Sequence, residues 1–153
     1  VRRAARRLQL PNLSCAERDT SRPLSDLGLF DRVLVDAPCS GLGTLRRNPD
    51  ARWRIGAGDP EKLAEVQRAI LRSSAECLRP GGALVYSTCT LLPEENEDLV
   101  ASFLSERRDF RACEPSVLPA ALAPLLDAEG SLRTLPHRDD ADGFFAVRLE
   151  RLA

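Results

Sequence analysis

The chain has 153 residues, 43% of them hydrophobic and 29% charged, a balance that fits one globular domain and argues against disorder. Nothing in it approaches the roughly 20 apolar residues of a membrane span, and no cleavable apolar segment follows the opening arginines, so we read a cytoplasmic protein. The net charge of −1 offers no general basic balance for neutralising phosphates, so any affinity for nucleic acid must rest on local charge.

In chain order, VRRAARRLQL reads as the end of a helix, stopped by Pro11. Leu13 to Ala16 is a short strand candidate. Phe30 to Asp36, with β-branched Val33 and Val35, reads as a strand buried in a parallel sheet. It runs into a loop of small residues, Ala37 to Gly43. From Pro60 the spacing turns helical, with Leu63, Val66, Ile70, Leu71 and Leu78 near one stripe, and Pro80, Gly81 and Gly82 end that helix. Ala83 to Ser87 is the next strand, and Pro93 to Glu106 the next helix, with acidic residues massed in its first turns. Phe110 to Cys113 and Gly143 to Leu149 are the last strand candidates; Ser116 to Asp140 receives no assignment. Strands alternating with helices predict an α/β fold, a parallel or mostly parallel sheet with helices on both faces.

In open sheets of this class the chemistry gathers at the carboxyl ends of the strands. Two loops stand there, Asp36-Ala37-Pro38-Cys39-Ser40-Gly41-Leu42-Gly43 and Ser87-Thr88-Cys89-Thr90-Leu91. The five cysteines include no C-x-x-C pair and no histidine cluster, which points to free thiols and no metal site. Cys15, Cys77 and Cys113 read as packing residues. Cys39 and Cys89 differ, because each lies just past an apolar strand among small or polar neighbours, where a thiol has little to pack against.

The stretches DAPCSGLGTLRRNPDARWR and LRPGGALVYSTCTLLPEENE, with the terminal DGFF, together resemble the Sun/Fmu family of S-adenosylmethionine-dependent RNA (cytosine-5) methyltransferases, most nearly the bacterial enzyme acting on 16S ribosomal RNA. The resemblance runs from about Asp19 to Leu149. It implies a Rossmann-like class I methyltransferase sheet and a methyl transfer from S-adenosylmethionine to cytosine in RNA. Ribosomal RNA is the implied substrate and transfer RNA the alternative. Cys89 matches the family's nucleophile, whose thiolate adds to the pyrimidine ring and needs its pKa lowered by nearby positive charge or a helix amino terminus. Cys39 matches the residue linked to removing the ring proton or releasing the product. Asp36 matches the aspartate between cofactor and base, with Pro38 beside it on the cofactor side. Asp19 matches the acidic position near the cofactor's adenine; a turn or helix cap is its other reading. The target base must be single-stranded or flipped out of a helix.

No glycine-rich strand-to-helix loop precedes Asp19. The resemblance therefore implies the carboxyl-terminal portion of one methyltransferase catalytic domain over residues 1–153. It lacks the sheet's first strands and, taken alone, is expected to be inactive; a noncatalytic RNA-binding fragment of the same fold is the competing reading. For RNA, Arg46, Arg47, Arg52 and Arg54 follow the Asp36 loop, with Trp53 among them to stack on a base or to pack on the domain. His137, the only histidine, reads as a surface residue. Asp142, Gly143 and Phe144 match the family's last motif, where the glycine is expected to serve a turn.

Overall fold

The computed structural model describes residues 1–153. The arginine-rich opening forms α1 (Arg2–Arg7), which buries none of its residues. Leu13 to Ala16 does not form the expected strand: Leu13 is exposed, and no strand lies alongside to take up its backbone groups. The remaining elements are β1 (Phe30–Asp36), α2 (Ala51–Arg54), α3 (Asp59–Glu76), β2 (Leu78–Thr88), α4 (Glu97–Glu106), β3 (Phe110–Ala112), β4 (Leu132–Thr134), α5 (Pro136–Asp139) and β5 (Phe144–Arg151).

Helix α3 starts with Pro60 and the acidic pair Asp59 and Glu61 in its first turn, where a missing amide costs nothing and negative charge suits the helix dipole. Its buried stripe is Ala64, Gln67, Leu71, Ser74 and Ala75, flanked by Ile70. Val66 lies off that stripe and is exposed, and Leu78 belongs to β2 rather than to the helix. The Pro80-Gly81-Gly82 turn also falls inside β2. Phe30 pairs with Leu78, but Arg32 pairs with Ala83, so the turn bulges out of the ladder, with Gly81 in the left-handed region at φ 76°. The helix expected from Pro93 begins with a 3-10 turn, Pro93–Glu95, before α4 proper.

The sheet order is β1-β2-β5-β3, with β4 also paired to β5. Strand β1 runs parallel to β2, whereas β5 is antiparallel to β2, β3 and β4. Strands β1, β2 and β3 therefore point the same way, joined in turn by α3 and α4, which are long enough for parallel crossovers. Strand β5 departs from the expected parallel order. It follows β4 after too short a connection for a crossover and inserts between β2 and β3 in the opposite sense.

Helices α3 and α4 pack together on one face of the sheet, over a core that includes Ile70, Leu71, Leu84, Tyr86, Leu99, Phe103, Phe145 and Leu149. Each fully buried leucine there stabilises the fold by about 2 kcal/mol. The opposite face carries no second layer of comparable helices. Arg32 and Asp36 are exposed there, and Leu34 is 70% exposed. Strand β1 is also the outermost strand, with one edge unpaired. No helix is long and apolar enough to cross a membrane.

Candidate active site at two neighbouring strand ends

The parallel pairing of β1 with β2 is in register to its last residues, Val35 opposite Tyr86 and Asp36 opposite Ser87. The Ala37 amide then donates to the Ser87 carbonyl at 2.9 Å, so both chains leave the sheet side by side. Three residues beyond Asp36 and two beyond Ser87, the Sγ atoms of Cys39 and Cys89 lie 3.4 Å apart. Both are half-buried free thiols. Burial, and then the bond with Cys89, push the Cys39 thiol up to about 12. Asp36 is exposed at the strand end, where Ser87 Oγ donates to its Oδ1 at 3.3 Å, leaving Oδ2 free. Two sulfurs and a carboxylate therefore gather at one edge.

A third loop joins them through two glycines. The Gly43 amide donates to the Cys89 carbonyl at 3.0 Å, and the Gly143 amide donates to the Gly43 carbonyl at 2.8 Å. A Cβ on Gly43 would stand 2.1 Å from the Gly143 carbonyl oxygen, and one on Gly143 would stand 2.9 Å from Gly43 Cα. Gly143 is therefore required for close approach of two backbones and not, as expected, for a turn.

Beneath the cysteines lies a polar layer that the sequence reading missed. Gln67, Thr88, Thr90, Glu95 and Asn96 are fully buried, and Ser40 nearly so. Gln67 Nε2 donates to the Pro38 carbonyl at 2.8 Å and to Glu95 Oε2 at 2.7 Å; the Ser40 amide donates to the same Oε2 at 2.9 Å. Tyr86, whose ionisation burial pushes far up, donates to the Glu95 carbonyl at 2.8 Å. Thr88 Oγ1 donates to Asn96 Oδ1 at 2.6 Å, and Asn96 Nδ2 donates to the Thr90 carbonyl at 3.1 Å. The hydroxyls of Ser40 and Thr90 are 2.7 Å apart. Such a layer fixes a single geometry when its members find partners. One signal was available: Gln67 occupies an apolar position on the α3 stripe.

The arginine loop divides. Arg46 donates to Asp140 Oδ1 at 2.6 Å, and Arg47 donates to Asp142 Oδ2 at 2.7 Å through Nε; these pairs tie the loop to the segment around α5. Arg52 and Arg54 make no ion pair. The Arg52 guanidinium sits 5.0 Å from the Trp53 ring. Trp53 is 79% exposed, which overturns packing on the domain and leaves the ring face away from Arg52 open. His137 is exposed.

Asp19 stands apart from the two loops. Its Oδ1 accepts from the Ser21 amide and hydroxyl and its Oδ2 from Arg22; the Ser21 bonds, foremost, hold its carboxyl below the usual range. It closes its own turn. Cys77 and Cys113 are buried, as packing residues should be, and Cys15 is half-buried. Hollows of about 620 Å³ between residues 21–29 and α3, and about 450 Å³ beneath α1, do not touch either strand-end cysteine.

A mixed sheet whose parallel strands deliver such loops at their carboxyl ends is that of a Rossmann-like methyltransferase. A family model described as 16S rRNA methyltransferase RsmB/F matches residues 1–150, and the chain belongs to that family. A probable ribosomal RNA small subunit methyltransferase B from Synechocystis sp. is 41% identical over 148 residues, 95% of this chain and 33% of the relative. The Bacillus subtilis protein of the same description is 42% identical over 127 residues, 80% of this chain and 28% of the relative. The crystal structure of NSun6 from Pyrococcus horikoshii with SFG superposes with a TM-score of 0.80 at 32% identity, covering 99% of this chain and 38% of that one. The chain thus spans about a third of the length of the relatives it matches.

Proposed function

We propose that this chain forms the carboxyl-terminal portion of a catalytic domain that methylates C5 of a cytosine in RNA, with 16S ribosomal RNA as the substrate. The observation that carries this reading is the 3.4 Å approach of Cys39 and Cys89 at neighbouring strand ends. Membership of the RsmB/F family supports it. C5 of cytosine is a weak nucleophile, so the ring must first be activated by covalent addition.

In this reading the Cys89 thiolate forms a bond to C6, and the displaced π electrons make C5 nucleophilic as N3 takes up a proton. Asp36, with a free carboxyl oxygen at the strand end, hydrogen-bonds the base at N3 and steadies that proton. S-adenosylmethionine, the methyl donor of Sun/RsmB methyltransferases, would lie beside Asp36 and Pro38 and would supply an electrophilic methyl, its sulfur leaving as the neutral thioether. Cys39, as thiolate, then takes the C5 proton; the C–H electron pair re-forms the C5–C6 double bond, the C6–S bond breaks, and Cys89 departs as thiolate. The N3 proton is lost, and the ring regains its aromatic form.

Of the residues implied for the cofactor, Asp36 and Pro38 fit the part, being exposed on the open side of β1. Asp19 accepts from Ser21 and Arg22 within its own turn and, as an exposed carboxylate, keeps acceptor capacity for a cofactor hydrogen bond. The cradle is one-sided in these residues, so calorimetry on residues 1–153 alone should show weak cofactor binding. Arg52, Arg54 and Trp53 offer phosphate contacts and a stacking face for the RNA, while Arg46 and Arg47 hold the loop that presents them.

The test uses the full-length protein with RNA containing 5-fluorocytosine, whose C5 fluorine cannot leave as a proton. A covalent protein–RNA complex stable to denaturant should form with cofactor, and Cys89→Ala should abolish it along with at least about 10³-fold of the activity. Persistence of the complex in that variant would overturn the assignment.

A further inference from the structure

Each cysteine is gripped through the residues on either side of it, and the two grips belong to adjacent residues of one turn. The carbonyl before Cys39, that of Pro38, accepts from Gln67, and the amide after it, that of Ser40, donates to Glu95, while Gln67 and Glu95 bond one another. The residues flanking Cys89, Thr88 and Thr90, both end on the Asn96 side chain. The Ser40 and Thr90 hydroxyls, 2.7 Å apart, join the two grips beneath the sulfurs.

We propose that Glu95 and Asn96 are positioning residues with separate duties: Glu95, with Gln67, sets Cys39 for proton removal, and Asn96 sets Cys89 for attack on the ring. The inference rests on the reading of the two thiols as successive actors on one base. Its physical ground is the cost of the arrangement. The Glu95 carboxyl is fully buried, pairs with no cation, and leaves Oε1 without a hydrogen-bond partner. A buried polar atom without a partner is unfavourable, and an apolar side chain of similar volume would serve packing better. What Glu95 gives in return is an acceptor aimed at the backbone beside Cys39. Asn96 gives both a donor and an acceptor, which the two flanks of Cys89 require. Reacting groups displaced by about 1 Å lose rate on the order of 100-fold, so grips this local act on one step each.

The test follows adduct formation and release separately on unmodified RNA, using the full-length protein. Asn96→Ala should slow formation of the Cys89 adduct about 100-fold. Glu95→Ala should form the adduct at close to the normal rate but release it slowly, so that the covalent complex accumulates during turnover. Glu95→Gln keeps an acceptor for the Ser40 and Gln67 N–H groups and should restore release. Gln67→Met, which removes the bonds to the Pro38 carbonyl, Glu95 and Tyr86 but leaves the Ser40 amide on Glu95, should show the accumulation in milder form should Glu95→Ala fail to fold. Equal slowing of both steps by Glu95→Ala and Asn96→Ala, or no rescue by Glu95→Gln, overturns the division of duties. Phenylarsine oxide, which bridges two nearby thiols, reports the sulfur spacing without any methyl transfer. Its binding should need both Cys39 and Cys89 and should weaken about tenfold in both alanine variants. If arsenical binding changes in this way while no variant and no wild-type protein forms an RNA adduct, the grips stand and the methyltransferase reading fails. If the alanine variants bind the arsenical unchanged, the grips themselves are refuted.

Discussion

Two stretches that follow one another in the chain are built on opposite principles. The loop from Ala37 to Gly43 is held from beneath by fully buried groups, Gln67 on Pro38 and Glu95 and Thr90 on Ser40, the two neighbours of Cys39. The stretch from Arg46 to Arg54 is held by ion pairs, Arg46 to the exposed Asp140 and Arg47 to the largely buried Asp142, and it projects Trp53 into solvent. Exposed ion pairs contribute only about 0–1 kcal/mol each, whereas a buried bond fixes direction because no water can replace it. The contrast teaches where precision is needed. On the proposed function, covalent attack would tolerate little displacement of a sulfur, while contact with a phosphate backbone and a stacking base would tolerate much more.

The sharpest way to break the contrast is to disturb the inner region at its tightest point. Gly43→Ala would drive a Cβ into the Gly143 carbonyl and the Cys89 carbonyl, at 2.1 and 2.8 Å. Neither contact is a flexible side chain, so the backbone must move. We expect a loss of about 3 kcal/mol, read as a lower urea midpoint with an unchanged m value. Adduct formation should fall with it, since the same shift displaces Cys89. An alanine accepted at no measurable cost would mean that the three loops are not interlocked.

The outer region should respond in the opposite manner. Trp53→Ala removes an indole that is 79% exposed, so stability should change by less than about 0.5 kcal/mol. RNA affinity should weaken by about 1–3 kcal/mol if the ring stacks on a base. Filter binding at fixed salt, with the urea midpoint as control, separates the two. Affinity unchanged within error would remove Trp53 from the RNA-facing surface.

The two thiols of the inner region are more legible in the sequence than the groups that support them. Strand β1 and helix α3 were readable because β-branched runs and a 3.6-residue period leave strong patterns, and Cys39 and Cys89 stood out as thiols placed where nothing packs. The parts that escaped are those decided by distant partners. Glu95 and Asn96 read as the polar start of a helix, and only the fold reveals that they face inward under two loops. The reversed direction of β5 is invisible to periodicity, which is the same for parallel and antiparallel strands. Leu13 to Ala16 had a strand's local character but no ladder to join. Strand β4, in the stretch left unassigned, is three residues long and exists because β5 offers it a partner.

The smallest expected effect separates the regions by what they answer to, alkali or salt. Burial raises the Cys39 thiol to about 12 from an ordinary value of 9.0. The folded state therefore favours the protonated thiol more than the unfolded chain does. That contribution to stability is complete below about pH 9 and is lost as the pH climbs toward about 12, because the unfolded chain gives up its proton first. Cys113, raised to about 11 chiefly by burial, acts with the same sign, so the measurement is a difference: wild type against Cys39→Ser, compared by urea unfolding between pH 8 and roughly 11. The wild-type protein should lose stability more steeply than the variant over that window. The Arg46–Asp140 pair, by contrast, should weaken with added salt and ignore this range of pH. Parallel curves for wild type and Cys39→Ser would mean that the buried sulfur pair does not set the ionisation of Cys39, and the distinction between the two regions would then rest on geometry alone.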